Sequence, residues 1–176
     1  MPHYSKNGKI TAIMSSEDFK NIMEHGEFKK KRHRSFFILL YYTGVRLQEG
    51  IRVKREQFKR SADTLYFDVG TRLKNGLTTA PLPLPLSLPY LNELIHAIRY
   101  TKKGERVFPY CKRTGYNIIA RVCHYPHYLR LNRITQFFQE GYNIAQVKNW
   151  TGHKTLKGLE PYIGLADINE MGKSLA

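Results

Sequence analysis

The hydrophobic pattern of this 176-residue chain switches between two periods. Phe19, Ile22 and Met23 fall at helical spacing, and Ser15-Ser16-Glu17-Asp18 offers an N-cap followed by acidic residues. The spacing predicts a helix reaching about His25. Phe36 to Tyr42 is almost continuously apolar, which predicts a buried helix, and Gly44 supplies its C-terminal stop. A second short helix is expected to carry Arg46, Glu49 and Val53. From about Gln57 the pattern becomes that of extended chain. Leu65-Tyr66-Phe67-Asp68-Val69 reads as a strand, Lys74-Asn75-Gly76 as a hairpin turn, and Thr78 to Leu84 as a further extended run. Pro81, Pro83 and Pro85 lack N–H donors, so that run must be an edge strand or end early. Helical spacing returns over Ser87 to Tyr100, with Leu91, Leu94, Ile95 and Ile98 on one face. Residues 101–126 read as a loop, a short helix around 115–123 and a turn at Pro126. From His127 the chain is helical with short breaks. Leu131, Ile134, Phe137 and Phe138 share a face, and Gly141 ends that helix. Asn143-Ile144-Ala145-Gln146 is a capping box for a helix reaching about Trp150, and a last helical turn follows Ile168. No repeat, low-complexity tract or internal domain boundary interrupts the pattern.

Charge narrows the function classes. The formal net charge is +15 and the pI about 9.9, so the domain carries a field that attracts polyanions. Its 12 tyrosines and 9 phenylalanines are interspersed among the basic residues. Lys29-Lys30-Lys31-Arg32-His33-Arg34 is a basic block that reads either as a solvated helix start or as a contact to a phosphate backbone. Cations there oppose the helix dipole, so something else must favour them. No apolar run approaches the roughly 20 residues of a membrane span, and residues 1–14 do not form a signal peptide. The two cysteines, Cys111 and Cys123, give no disulfide framework, and a reducing, cytoplasmic location is the default. Cys111, Cys123, His124 and His127 match no common zinc spacing, so no metal is expected.

The remaining polar residues assemble into a definite chemistry. A phosphodiester under attack gathers negative charge on its non-bridging oxygens, and guanidinium forks suit that charge. Arg46 and Arg130 are the candidates. Arg46 follows a helix-ending glycine, which leaves it near the mouth of a cleft, and Glu49 lies one helical turn on, able to hold its side chain. Tyr162 lies nine residues after His153. A phenol is a weak nucleophile at neutral pH and needs a base or a strong positive field. His127 or His153 can take its proton. A lysine on a mobile hairpin can protonate the leaving 5′ oxygen. Lys74 stands at that turn, with Arg72 as the alternative. Such a reaction needs no metal, nucleotide or other cofactor, because a phosphotyrosyl bond retains the energy of the broken linkage. Pro161 turns Glu160 away from helical geometry, so Tyr162 should sit in a bend or at a helix start.

In this order the motifs Thr43-Gly44-x-Arg46-x-x-Glu49, a hairpin lysine, Pro126-His127-x-x-Arg130, Gly152-His153 and Tyr162 resemble the tyrosine recombinase (integrase) family of phage, plasmid or archaeal-virus type. The likeness runs from about residue 15 to the end. It implies an α+β fold: the family's mostly helical catalytic domain with a small three-stranded antiparallel sheet. It also implies site-specific cleavage and rejoining of double-stranded DNA through a 3′-phosphotyrosyl intermediate. Tyr162 would be the nucleophile. Arg46, His127, Arg130 and His153 would surround the phosphate, Lys74 would be the general acid, and Glu49 would support Arg46. The partners implied are duplex DNA and further copies of the chain, as a tetramer on paired sites.

Several positions depart from the family pattern. Leu131 stands where a histidine is usual, Thr151 where a leucine precedes Gly-His, and Gly158, Leu159 and Pro161 are unusual before the tyrosine. The resemblance divides the chain into a linker or arm over 1–14 and a catalytic domain over 15–176. The N-terminal core-binding domain that completes the family's DNA clamp is not represented, and we read the chain as a truncated form. Two other functions compete: DNA relaxation of the type IB topoisomerase kind, and DNA binding without catalysis.

Overall fold

The computed structural model describes residues 13–72, 74, 76–163 and 166. The predicted helical turn after Ile168 and most of the predicted arm, residues 1–12, lie outside the described residues. The arm's end does not stand free. Met14 is buried, and its N–H donates to Oδ1 of the fully buried Asn132 at 2.8 Å.

Helix α1 (Ser16–His25) opens as expected on Ser15, whose hydroxyl accepts from the Asp18 N–H while the Asp18 carboxylate accepts in return. Helix α2 (Lys31–Thr43) is the central rod. Every residue from Ser35 to Thr43 is buried, so it can be apolar on all sides. Each such Leu, Ile or Phe contributes about 1.5–3 kcal/mol on burial. Gly44 closes it in the left-handed region at φ 62°. The basic block at its start has a structural cause. Arg34 donates to both carboxylate oxygens of Glu93 at 2.7 and 2.8 Å and to the Met23 carbonyl, tying α2 to α1 and to the helix that carries Glu93.

The short helix α3 (Leu47–Gly50) has Arg46 as its N-cap and Glu49 at its third position, and Val53 falls beyond it in the core. Strands β1 (Phe58–Arg60), β2 (Thr64–Phe67) and β3 (Leu82–Pro85) form an antiparallel sheet in the order β1-β2-β3. The prolines do confine β3 to an edge. Leu82 and Leu84 pair with Phe67 and Leu65 on the buried face, and Pro83 and Pro85 face solvent. Beyond β2 the hairpin narrows through the Thr71–Thr78 bridge, and Arg72 N–H donates to the Leu77 carbonyl at 2.8 Å. Asn75 of the predicted turn lies outside the described residues.

Helix α4 (Leu91–Arg99) starts later than Ser87, because residues 86–90 form turns and Tyr90 takes φ 62°. Helix α5 (Lys112–Val122) starts earlier than expected, with the Cys111 thiol accepting from the Thr114 N–H at its N-terminus. Pro126 is the first residue of helix α6 (Pro126–Gln139) rather than a turn; its missing N–H costs nothing at that position. The buried side of α6 runs through Leu129, Ile134 and Phe137, while Leu131 and Phe138 are half-buried. Helix α7 (Ile144–Thr151) begins on the expected Asn143–Gln146 box and stops at Gly152, φ 69°. Helix α2 packs against α4 on one side and α6 on another, with α7 against α6. The C-terminal ends of α2 and α7 therefore meet, and Trp150 Nε1 donates to the Thr43 carbonyl at 2.8 Å.

Candidate active site

The loop between α2 and α3 meets the start of α6 and the tip of the β2–β3 hairpin around a cleft of about 480 Å³. Arg46, Glu49, Lys74, His127 and Arg130 line it, with Tyr116 and Tyr125 on its wall. Both predicted guanidiniums thus share one concavity.

Each is held differently. Arg46 caps α3, and its backbone N–H donates to Glu49 Oε2 at 2.9 Å while its Nη1 donates to Oε1 at 3.4 Å. Its side chain stays 25% exposed, open to a ligand. Arg130 is 2% exposed. Its Nη1 donates to the Gly44 carbonyl at 2.8 Å and its Nη2 to the Thr151 carbonyl at 2.9 Å. These bonds lock the fork between the ends of α2 and α7 and use two of its five N–H donors. Burial pushes the Arg130 guanidinium down to about 10, with Arg46 and Arg72 adding to the effect; it stays charged at neutral pH.

Glu49 is the buried counter-charge. Its Oε2 also accepts from Arg72 Nη1 at 3.0 Å. Arg72, the sequence alternative to Lys74, is 1% exposed, donates through Nη2 to the Trp150 carbonyl and lies 4.9 Å over the Trp150 ring. It cannot reach a leaving group in the cleft, so that alternative is corrected. Lys74 is exposed at the hairpin tip and lines the cleft.

The histidines report the surplus of positive charge. His153 follows the left-handed Gly152 that ends α7, where an added Cβ would lie 3.0 Å from Arg72 Cγ. Burial lowers the His153 imidazole to about 4, with Arg130, Arg46, Lys74 and Arg72 also acting on it. His127, at the cleft lip, is lowered by lost hydration and then by Arg130, Arg46 and Lys74. Both rings are neutral at pH 7, able to accept or donate one proton. Tyr162 is half-buried near the start of a helical stretch over 160–163, as a helix start predicts, but Glu160 is itself helical, so Pro161 opens this turn and does not bend the chain before it. Its ring centroid is 6.2 Å from that of His153 in an edge-on arrangement. The structure thus brings together Arg46, Glu49, Lys74, His127 and Arg130, with His153 and Tyr162 adjoining.

Sequence reasoning did not give Arg72 its buried place, did not single out Tyr116 or Tyr125, and marked Thr151 only as a departure from the family's leucine. Tyr125 stands two residues before His127, a position that could have been flagged. Among 29 Lys and Arg residues nothing local distinguishes Arg72.

No protein-family model matches the chain. It is 25% identical over 169 residues to a tyrosine recombinase of Thermosipho africanus, an alignment covering 90% of this chain and 59% of that protein. The chain therefore spans little more than half the length of that relative. Its fold is similar to the XerH site-specific recombinase in a post-cleavage complex with difH (TM-score 0.66, 15% identity, 97% of this chain and 55% of that one). It is also similar to the catalytic domain of bacteriophage HP1 integrase (TM-score 0.61, 19% identity, 88% of both chains). A lambda integrase dimer bound to a core site aligns with TM-score 0.63 at 15% identity, over 86% of this chain and 47% of that one. In fold the chain is similar to the catalytic domains of tyrosine recombinases (integrases), and its sequence is similar to one of them.

Proposed function

We propose that this domain cleaves and rejoins duplex DNA at specific sites, with Tyr162 as the nucleophile. The observation that carries the reading is the convergence of Arg46, Arg130, His127 and Lys74 on one cleft, with Glu49 as the carboxylate between Arg46 and the buried Arg72. A phosphodiester fits this excess of positive charge, and its transition state, which is more negative, fits better.

In the proposed reaction the Tyr162 oxygen attacks phosphorus and the bond from phosphorus to the 5′ oxygen breaks. The phenolic proton passes to His127 or His153. Lys74 gives a proton to the leaving 5′ oxygen. Arg46 and Arg130 donate to the non-bridging oxygens throughout. Rejoining is the reverse: a 5′ hydroxyl attacks the 3′-phosphotyrosyl linkage and the phenol leaves. No step calls for a metal or ATP. Duplex DNA is the partner in this reading. Assembly into a tetramer on paired sites, for integration of viral or plasmid DNA, is the wider role we assign. The domain division at residues 14 and 15 is proposed on the same basis. No helix among the described residues is long and apolar enough to cross a membrane.

The test is incubation with a pool of nicked duplexes of random sequence, in which the nick lets the 5′ fragment diffuse away and traps the adduct. A covalent protein–DNA complex is expected, absent in Tyr162→Phe and reduced at least about 100-fold in Arg130→Lys, which loses the planar fork. Binding to every duplex with no adduct would support a DNA-binding protein without catalysis. Relaxation of any supercoiled plasmid with no preferred sequence would support the topoisomerase-like alternative.

A further inference from the structure

Thr151 is the last residue of α7 and is 1% exposed. Three other buried threonines, Thr43 and Thr135 within helices and Thr101 just beyond α4, donate their hydroxyls to the carbonyl four residues back. Thr151 does not. Its Oγ1 lies 2.6 Å from Nδ1 of His153, its only side-chain hydrogen-bond partner among the described residues. Its own carbonyl accepts from Arg130 Nη2. One residue therefore touches both a guanidinium of the cleft and the imidazole beside Tyr162.

A neutral imidazole carries one N–H, and the choice of nitrogen decides what its other edge can do. A hydroxyl has one hydrogen to give. Were Nδ1 protonated, the Thr151 hydroxyl would accept from it, and its own hydrogen would be left buried with no acceptor among the described residues. Such a loss costs about 1–3 kcal/mol. With Nδ1 bare, the hydroxyl donates to it and both groups are satisfied. The ring is neutral at pH 7, so the remaining hydrogen then sits on Nε2.

We infer that Thr151 is a positioning residue that fixes His153 as the Nε2–H tautomer, so that the free edge of the ring offers an N–H and not a lone pair. The inference rests on the reaction proposed above for its meaning, but not for its test. His153 in this state has no lone pair on Nε2 with which to take a proton. Burial first, and then the charges of Arg130, Arg46, Lys74 and Arg72, oppose a second proton on the ring.

The experiment is long-range nitrogen–proton NMR of the histidine rings in the DNA-free protein at pH 7, which reads the tautomer directly and needs no cleavage. His153 is identified by the signals lost in His153→Asn. The expected spectrum shows Nε2 protonated and Nδ1 bare but hydrogen-bonded. Thr151→Ser keeps this spectrum. Thr151→Val, of the same shape without a hydroxyl, shifts Nδ1 to the frequency of an unbonded nitrogen and makes the Nδ1–H form measurable. An Nδ1–H tautomer in the wild type overturns the inference even if Thr151→Val does not fold. An unchanged His153 signal in a folded Thr151→Val protein overturns it equally. Absence of cleavage by the wild-type protein would leave this result intact and count only against the proposed reaction.

Discussion

Arg72 Nη1 donates to Glu49 Oε2 at 3.0 Å in a pair whose two side chains are 0% and 3% exposed. That pair joins the base of the Lys74 hairpin to the residue that caps and steadies Arg46. Two parts of the cleft far apart in sequence are thereby fixed to each other. Replacing Arg72 by Leu leaves Glu49 charged, buried and short of a partner, and the expected loss of stability is about 3–5 kcal/mol. Urea unfolding measures it; a loss below about 1 kcal/mol would show that the pair is not structural.

Gly152 bears on the same pair from the other side. At φ 69° a side chain costs about 1–2 kcal/mol. A Cβ there would also press on Arg72 Cγ from 3.0 Å. Gly152→Ala should therefore destabilise by more than the backbone term alone. In an Arg72→Leu background the excess should shrink, because the crowded atoms have changed. Thermal unfolding of both singles and the double variant reads this coupling; strict additivity would contradict it.

These relationships explain what the sequence made legible. The helices were readable where local chemistry sets them: the Ser15 and Asn143 boxes, the stops at Gly44 and Gly152, and the apolar run of α2. The edge position of β3 followed from its prolines alone. Boundaries failed where a local signal was ambiguous. Pro126 opens a helix as readily as it makes a turn, and Cys111 caps α5 with a thiol, an uncommon cap. The cleft residues were legible as an ordered motif. Arg72 was not, because its burial depends on Glu49 and Trp150, which lie 23 and 78 residues away. Thr151 carried only the sign of a hydroxyl where a leucine is usual.

Acid should destabilise the fold before its carboxylates titrate. His153 is held at about 4 in the folded protein, against about 6.5 for a free imidazole. The unfolded chain therefore binds this proton more strongly. Stability should be at its plateau above about pH 6.5 and fall as pH drops through the window down to about 4. His127 and His33 are lowered too and act in the same direction. The urea midpoint measured between pH 7.5 and 5 should decline, and less steeply in His153→Asn. A midpoint that rises toward pH 5 would contradict the burial of a neutral ring.

DNA binding should be strongly salt-dependent, because Arg46, Lys74 and Arg130 bring cations to the cleft of a chain whose formal net charge is +15. Neutralising about five phosphates gives a slope of log affinity against log salt of about −4 to −5. Lys74→Ala should reduce its magnitude by about 1. Fluorescence anisotropy over about 50 to 300 mM salt measures both. A flat isotherm would remove electrostatics from the account.

The identity of the nucleophile is the point on which the reading turns. Protease digestion of the trapped protein–DNA adduct followed by mass spectrometry locates the linkage. One modified peptide is expected, containing Tyr162 and bearing the nucleotide through its 3′ phosphate. A linkage on Tyr116, Tyr125 or any other residue, or one through a 5′ phosphate, would contradict it.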